Sequence, residues 1–139
     1  MSEKKKFGNN DSYYYEIHDN EVHIIAYKKK DEVFMYNEIH CIPEYINKMP
    51  VRVIGKNAFA QSNIRGIIIP GTVREIKSYA FERCLSLENV WVAEGVKIIK
   101  DGAFERCRSL RKVIIPENVI IELEDFDEDV LLFLKEEQD

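Results

Sequence analysis

A repeat of 23 residues constrains this chain more than any other feature of its sequence. The string Ala-Phe-Glu-Arg-Cys occupies residues 80–84 and returns at residues 103–107. The apolar residues around it return with the same spacing: Val73, Ile76, Ala80, Phe81, Cys84, Leu87, Val90 and Val92 correspond to Val96, Ile99, Ala103, Phe104, Cys107, Leu110, Val113 and Ile115. A third copy, one residue shorter, runs over residues 51–70. Because so short a unit cannot bury its own apolar face, we expect the copies to stack into a solenoid.

The unit has the consensus V-x-x-I-x-x-x-A-F-x-x-C-x-x-L-x-x-V-x-V-P, and its parts predict different local structures. The final positions alternate and are rich in β-branched residues, which predicts one short, half-buried strand. The Ala-Phe pair places a small residue beside a large one, so that successive rungs can pack tightly. Strands of successive units should therefore pair in parallel, with like positions about 4.7–4.9 Å apart.

Both ends of the array carry sequences that predict caps. Residues 13–27 alternate apolar and polar side chains around Asp19-Asn20, which predicts a β-hairpin. Near the other end the Ala-Phe pair is missing, so we expect a degenerate repeat followed by a last strand. The expected organisation is a flexible N-terminus (1–12) and a single repeat domain (13–139), made of an N-terminal cap and first strand (13–50), three repeats (51–116) and a degenerate repeat with an acidic C-terminal cap (117–139).

Three segments of the array resemble a known repeat family. IPEYINKMPVRVIGKNAF (42–59), IPGTVREIKSYAFERCLSLENVWV (69–92) and VKIIKDGAFERCRSLRKVIIP (96–116) are similar to the BspA-like, or Treponema-type, leucine-rich repeats. The resemblance implies an α/β fold by leucine-rich-repeat convention that is dominated by strands. It implies a short right-handed parallel solenoid with an N-terminal β-hairpin cap and a C-terminal capping strand. It also implies a protein-binding module or bacterial surface adhesin, and it brings no catalytic residues.

One residue of each predicted strand points away from the core, between the last two inward positions. These residues are Ile68, Trp91 and Ile114, with Cys41 as a candidate further member. The residues predicted to flank this strip are Arg65, Glu88 and Arg111, and then Gly66, Asn89 and Lys112. An apolar strip bordered by charges is typical of a protein-interaction patch. Two alternatives stay open: the strip only raises strand propensity or is covered by the C-terminal tail, or it forms a dimer contact.

A second row, made of Arg52, Arg74 and Lys97, is predicted to form a basic stripe on another face. Stacked like charges repel, which favours an acidic partner. Candidates within the chain are the tail acids Asp125, Asp127, Glu128 and Asp129. The alternative is that the stripe is a solvated face.

The distribution of charge excludes one class of function. Residues 117–139 contain ten acids and one base; this leaves 15 of the 25 acids and 19 of the 20 bases for residues 1–116, a net charge of only +4. Such a balance does not give the broad basic face of a nucleic-acid-binding protein.

No apolar run reaches the length of a membrane span and no signal peptide is recognised, so we expect a cytoplasmic protein without membrane insertion. A cell-surface or secreted location is the alternative, if a signal was removed.

The cysteines and histidines do not predict a reactive site. The three cysteines show no CxxC pair, and Cys84 and Cys107 occupy a small inward position of neighbouring rungs, so we expect buried, reduced thiols. His18 and His23 lie on either side of a turn and outside any HExxH motif, so we expect no metal and no cofactor.

The leading hypothesis is a non-enzymatic protein–protein interaction module whose partner the sequence does not identify. The alternatives are a structural or self-associating repeat protein, for example a homodimer, a fragment of a bacterial surface adhesin, and a small-molecule site such as a sugar stacked on Trp91.

Overall fold

The structure is a computed structural model that describes residues 5–28 and 39–122 and the backbone of residues 131–135. Within these ranges the chain forms thirteen strands and no helix. The strands are β1 Lys6–Asn9, β2 Tyr13–His18, β3 Glu21–Tyr27, β4 Ile39–Cys41, β5 Tyr45–Ile46, β6 Met49–Ile54, β7 Gly66–Ile69, β8 Glu75–Ile76, β9 Asn89–Val92, β10 Ile98–Ile99, β11 Lys112–Pro116, β12 Ile120–Ile121 and β13 Leu131–Lys135.

The strands build a parallel β-solenoid of about four turns. One sheet has the order β4-β7-β9-β11-β13, and all of its neighbouring strands are parallel. The second sheet continues in parallel through β3, β6, β8, β10 and β12. Each turn of the chain supplies one strand to each sheet. The strand-dominated parallel solenoid predicted from the repeat is therefore confirmed.

The repeated apolar positions face the space between the two sheets and form one core. Phe59, Phe81 and Phe104 stack there with ring centroids 5.0 Å apart at both steps, and Tyr27 extends the stack at 4.9 Å from Phe59. The alanine before each phenylalanine is also buried, which leaves room for the neighbouring rings. Like positions thus lie one above another, and every rung completes the core of the next.

The turns that contain Ala-Phe-Glu-Arg-Cys are stacked by hydrogen bonds between rungs. The amide of Phe81 donates to the carbonyl of Ala103 at 2.7 Å, and the amide of Arg83 donates to Glu105 at 2.8 Å. Arg83 and its counterpart Arg106 adopt left-handed backbone conformations, with φ of 57° and 61°. Arg83 combines this left-handed conformation with a backbone amide that donates a hydrogen bond to the next rung. The recurring string is therefore one structural unit used twice.

The N-terminal cap is larger than the sequence predicts. The hairpin of β2 and β3 is present, and its turn residues Asp19 and Asn20 have φ of 50° and 60°, as a two-residue turn between antiparallel strands requires. However, Lys6–Asn9, within the N-terminus predicted to be flexible, form β1 and pair with β2. The edge of β2 that does not face β3 carries backbone amide and carbonyl groups, and β1 pairs with this edge.

The C-terminal capping strand is present as β13, which pairs in parallel with β11. The rest of the predicted degenerate repeat is only partly described. Ile120 and Ile121 form β12, whereas residues 123–130 and 136–139 lie outside the described residues.

Candidate protein-binding surface

The outward residues of the first sheet lie in one line across four described rungs. Strand pairing places Cys41 beside Ile68, Ile68 beside Trp91, and Trp91 beside Ile114. We call these four residues the outer ladder. Ile68 is 39% exposed, Cys41 is exposed, and Trp91 and Ile114 are half-buried. The sheet thus presents a continuous, partly solvent-accessible strip that is mostly apolar.

The indole of Trp91 leans across the strand to cover Gly66. A methyl group at Gly66 would lie 3.2 Å from Cζ3 of Trp91 and 3.3 Å from Cγ1 of Ile39. Ile39, which is 53% exposed, therefore joins the apolar surface beside the tryptophan. Sequence reasoning missed Ile39 as a member, although a glycine inside a strand is a signal of close approach by another group.

Charged and polar residues border the outer ladder where the sequence places them. Nε of Arg65 lies 2.9 Å from Oε2 of Glu88, an ion pair between neighbouring rungs. Arg111 and Lys112 are exposed in the next rung, and Asn89 is half-buried. Because both partners of the Arg65–Glu88 pair are partly exposed, water and salt screen it, and its contribution to stability is small.

The predicted basic stripe is aligned, but two of its members bind groups of the chain itself. Backbone hydrogen bonds connect Arg52, Arg74 and Lys97 in successive rungs. Nε of Arg52 lies 2.6 Å from Oε2 of Glu21, and its Nη1 donates to the carbonyl of Thr72 at 3.1 Å.

Arg74 donates to the carbonyls of Gly71, Thr72 and Gly95, and Lys97 is exposed. The four tail acids proposed as acceptors lie outside the described residues. Within the described part of the chain, the two guanidinium groups of the stripe are directed at intramolecular acceptors.

The thiols of Cys84 and Cys107 are buried in the core. Cys84 donates to the carbonyl of Phe59 at 3.1 Å, and Cys107 donates to that of Phe81 at 3.0 Å. The hydroxyl of Ser62 occupies the equivalent place one rung earlier, 3.4 Å from the sulfur of Cys84. No disulfide joins Cys41, Cys84 and Cys107, and the two inward thiols are buried.

A cluster of Glu16, His18 and His23 lies on the outward face of the N-terminal hairpin. Nε2 of His18 is 2.8 Å from Oε1 of Glu16, and the rings of His18 and His23 stack with centroids 4.1 Å apart. The hydrogen bond from His18 lowers the pKa of Glu16, aided by the positive charge of Lys5, although burial opposes the shift. Burial lowers the pKa of His23, and the positive charges of His18 and Lys77 act in the same direction.

Sequence reasoning missed this cluster because it treated the turn as a separator of the two histidines. The available signal was the register: a two-residue turn at Asp19-Asn20 pairs Glu16 directly with His23. His18 follows Glu16 by two residues and therefore shares its face.

Several solved structures have this fold. A leucine-rich repeat protein from Bacteroides capillosus is 27% identical, with a TM-score of 0.80 over 94% of this chain and 99% of that chain. A leucine rich cell surface protein from Faecalibacterium prausnitzii is 24% identical, with a TM-score of 0.69 over 97% of this chain and 44% of that one. A leucine-rich repeat protein from Bacteroides ovatus is 21% identical, with a TM-score of 0.63 over 96% and 37%. The chain thus spans less than half of the two larger proteins.

The comparison with repeat families gives a match over most of the sequence. The family described as the BspA type leucine rich repeat region (6 copies) matches residues 30–129. A search of curated proteins gives no match. Leucine-rich repeat proteins of this kind are generally protein-interaction or surface modules, and they are generally not enzymes. The described residues include no helix that could span a membrane. The extent of the match and the stacked rungs together identify the chain as a member of the BspA type leucine-rich repeat family.

Proposed function

We propose that this protein is a non-enzymatic module that binds a protein partner through the outer ladder, with Trp91 at the centre of the contact. The observation that carries the proposal is the alignment of Cys41, Ile68, Trp91 and Ile114 on one partly exposed face. Tryptophan is among the residues that most often dominate binding energy, particularly when apolar neighbours exclude water around it.

The surroundings of Trp91 support a protein as the ligand. Ile39 and Ile68 widen the apolar area beside the indole, and the Arg65–Glu88 pair lies at its border. Protein interfaces commonly combine an apolar centre with a polar rim that stays hydrated. The surface is a line along stacked strands, which suits an extended or flat partner surface.

The non-enzymatic part of the proposal is based on the family and on the chemistry of the face. Ile68, Trp91 and Ile114 carry no group that could transfer a proton or attack a substrate as a nucleophile, and the thiol of Cys41 takes part in none of the described side-chain hydrogen bonds that would link it to a general base. An enzymatic function has to be argued from reactive groups in a site and not from the fold alone. The contact is therefore proposed to act by binding.

The test compares capture of a protein partner by three forms of the chain. Trp91→Asp places a charge in the centre of the outer ladder and should abolish capture, because a buried, unpaired carboxylate is costly. Ile120→Asp is the matched control: Ile120 is 61% exposed on β12, in the other sheet, and its replacement should leave capture intact. Circular dichroism and thermal unfolding should show all three forms folded. Unchanged capture by folded Trp91→Asp would contradict the proposal.

Self-association is the second candidate function, and an observation at the N-terminal cap favours it. β1 is the terminal strand of its sheet in the described part of the chain, and Phe7 on it is 67% exposed. An edge strand with free backbone groups can pair with a second copy. Light scattering tests this candidate, since a monomer of 16.3 kDa at high protein concentration would exclude it.

The compartment in which the module acts is a separate proposal. The cytoplasm is the location expected from the sequence, and the cell surface is the alternative. Protease treatment of intact cells distinguishes the two, because only a surface protein would be degraded before lysis.

A further inference from the structure

The hairpin cap brings three metal-ligating side chains together, far along the chain from the outer ladder. Glu16 is paired with His23 across β2 and β3, and His18 lies two residues beyond Glu16 on the same face. One ligand atom from each residue, a carboxylate oxygen and two ring nitrogens, lies within 4.8 Å of the others. All three residues are half-buried, so the cluster is accessible to a small ion and partly shielded from bulk water.

The separations are close to those of a metal site. In a tetrahedral zinc site, ligand bonds of about 2.0–2.2 Å place neighbouring ligand atoms roughly 3.3–3.6 Å apart. Oε1 of Glu16 and Nε2 of His18 are 2.8 Å apart and need to separate slightly. The rings of His18 and His23 stack with an interplanar angle of 18°, so one ring has to rotate before a nitrogen of each can point at one ion. Side-chain rotations on a hydrogen-bonded hairpin can supply both movements without a change in the backbone.

We propose that Glu16, His18 and His23 bind a divalent transition-metal ion of the borderline class that Zn²⁺ represents. Two imidazoles and one carboxylate suit Zn²⁺, Ni²⁺ or Cu²⁺ better than Mg²⁺ or Ca²⁺, which prefer sites made of oxygen ligands. Binding of the ion would replace the hydrogen bond between His18 and Glu16. Three protein ligands leave one tetrahedral position for water or for a side chain of a partner.

Two lysines oppose the binding of a cation and set a limit on its strength. Nζ of Lys5 lies 3.9 Å from Oε2 of Glu16, and Lys77 acts electrostatically on His23. Lys5 and Lys77 are both exposed, so solvent and salt screen their effect. The carboxylate of Glu16 contributes the negative charge that makes the cluster attractive to a cation despite them.

The experiment titrates the untagged full chain with ZnCl₂ in an isothermal calorimeter. We expect one ion per chain, and we expect His18→Ala, His23→Ala and Glu16→Gln each to weaken binding at least tenfold, since each removes a ligand. Cys41→Ser is the matched control: it removes an exposed thiol that could hold zinc elsewhere, and it should leave the affinity within twofold. Titration with MgCl₂ should give no saturable signal.

A second measurement does not depend on whether the variants fold. On addition of ZnCl₂ to the unaltered, isotope-labelled chain, the ring resonances of His18 and His23 should shift together and saturate at one ion. Those of His40, which is buried against Tyr13, should stay in place. The proposal is overturned if no saturation occurs up to about 1 mM zinc, the range of negligible specific affinity. It is also overturned if the double variant His18→Ala/His23→Ala binds as tightly as the unaltered chain.

Discussion

Two ladders run along this solenoid, one inside and one outside. The inner ladder consists of Phe59, Phe81 and Phe104, which stack at 5.0 Å and are almost completely buried. The outer ladder consists of Cys41, Ile68, Trp91 and Ile114, which follow the same rung spacing but remain partly exposed. The same repeat geometry therefore produces a uniform row of turn residues in the core and a varied row of strand residues on the surface.

The comparison shows where packing determines the identity of a side chain and where it allows that identity to vary. A phenylalanine in the core must match the rings above and below it, because protein interiors are closely packed. The inner rings lie in the turns, whereas an outward residue of a strand such as β9 needs only to tolerate an extended backbone, so its identity can vary from rung to rung. Trp91 is larger than the other side chains of the outer ladder. Because packing does not require a large side chain at this surface position, the tryptophan suggests a role in binding.

The largest expected effect is the removal of one inner ring. Phe81→Ala should lower the free energy of unfolding by about 3–5 kcal/mol, because it removes apolar contact and leaves a cavity between two rings. Denaturant unfolding followed by circular dichroism measures the change.

Phe7→Ala is the matched control for Phe81→Ala. Phe7 is 67% exposed on β1, and its replacement should change the stability by no more than about 0.5 kcal/mol. If Phe81→Ala cannot be purified as a folded protein, Phe81→Leu retains most of the volume and should give a smaller loss. Equal stability of the two alanine variants would contradict the distinction between inside and outside.

The next effect tests the small residue beside each inner ring. Ala80 is completely buried, and its counterparts Ala58 and Ala103 occupy the same place in the adjacent rungs. Ala80→Leu should cost about 1–3 kcal/mol, since added methylenes force neighbouring side chains out of their preferred positions. Ala60→Leu, at a half-buried position of the preceding turn, is the comparison and should be tolerated better. Stability unchanged by Ala80→Leu would mean that the rungs are not closely packed.

The inner ladder could be predicted from the sequence, and the reason is physical. Positions such as Phe81 and Val90 recur because each rung must present the same shape to the next, so the repeat reports the core directly. The hairpin was also predictable, since Asp19-Asn20 readily adopts the left-handed conformations of a two-residue turn. β1 was not, because Lys6–Asn9 depends on pairing with β2 and has no repeat to mark it.

The candidate sites were predictable only in part. The alignment of Ile68 with Trp91 follows from the rung spacing, whereas the contact of Trp91 with Ile39 depends on the direction of one side chain. The approach of Glu16, His18 and His23 depends on hairpin register, a relation across strands that a scan for spaced motifs along the chain does not detect.

A smaller effect on stability is expected in the outer ladder. Trp91→Thr should cost about 1 kcal/mol, the range of single side-chain effects on partly exposed strands, because threonine keeps a high strand propensity. Thermal and denaturant unfolding by circular dichroism measure the change. A loss as large as that of Phe81→Ala would mean that Trp91 is a core residue, and the comparison of the ladders would then fail.

The smallest effect on stability is expected for Gly66→Ala, which nevertheless probes the outer ladder most directly. The new methyl group would lie 3.2 Å from Cζ3 of Trp91, so the indole must move by a few tenths of an ångström. Alanine restricts the unfolded chain and stabilises by about 0.4–1 kcal/mol where its backbone is compatible, which should roughly offset the crowding. Because Trp91 is the single tryptophan, its fluorescence reports the movement, and displacement toward water should shift the emission to longer wavelength.

Gly71→Ala is the control for Gly66→Ala. Its methyl would lie 2.5 Å from the carbonyl oxygen of Glu94, so stability should fall without a change in the folded-state emission. If Gly66→Ala leaves the emission unchanged, the indole does not lie over Gly66, and the apolar surface around Trp91 is smaller than the structure indicates.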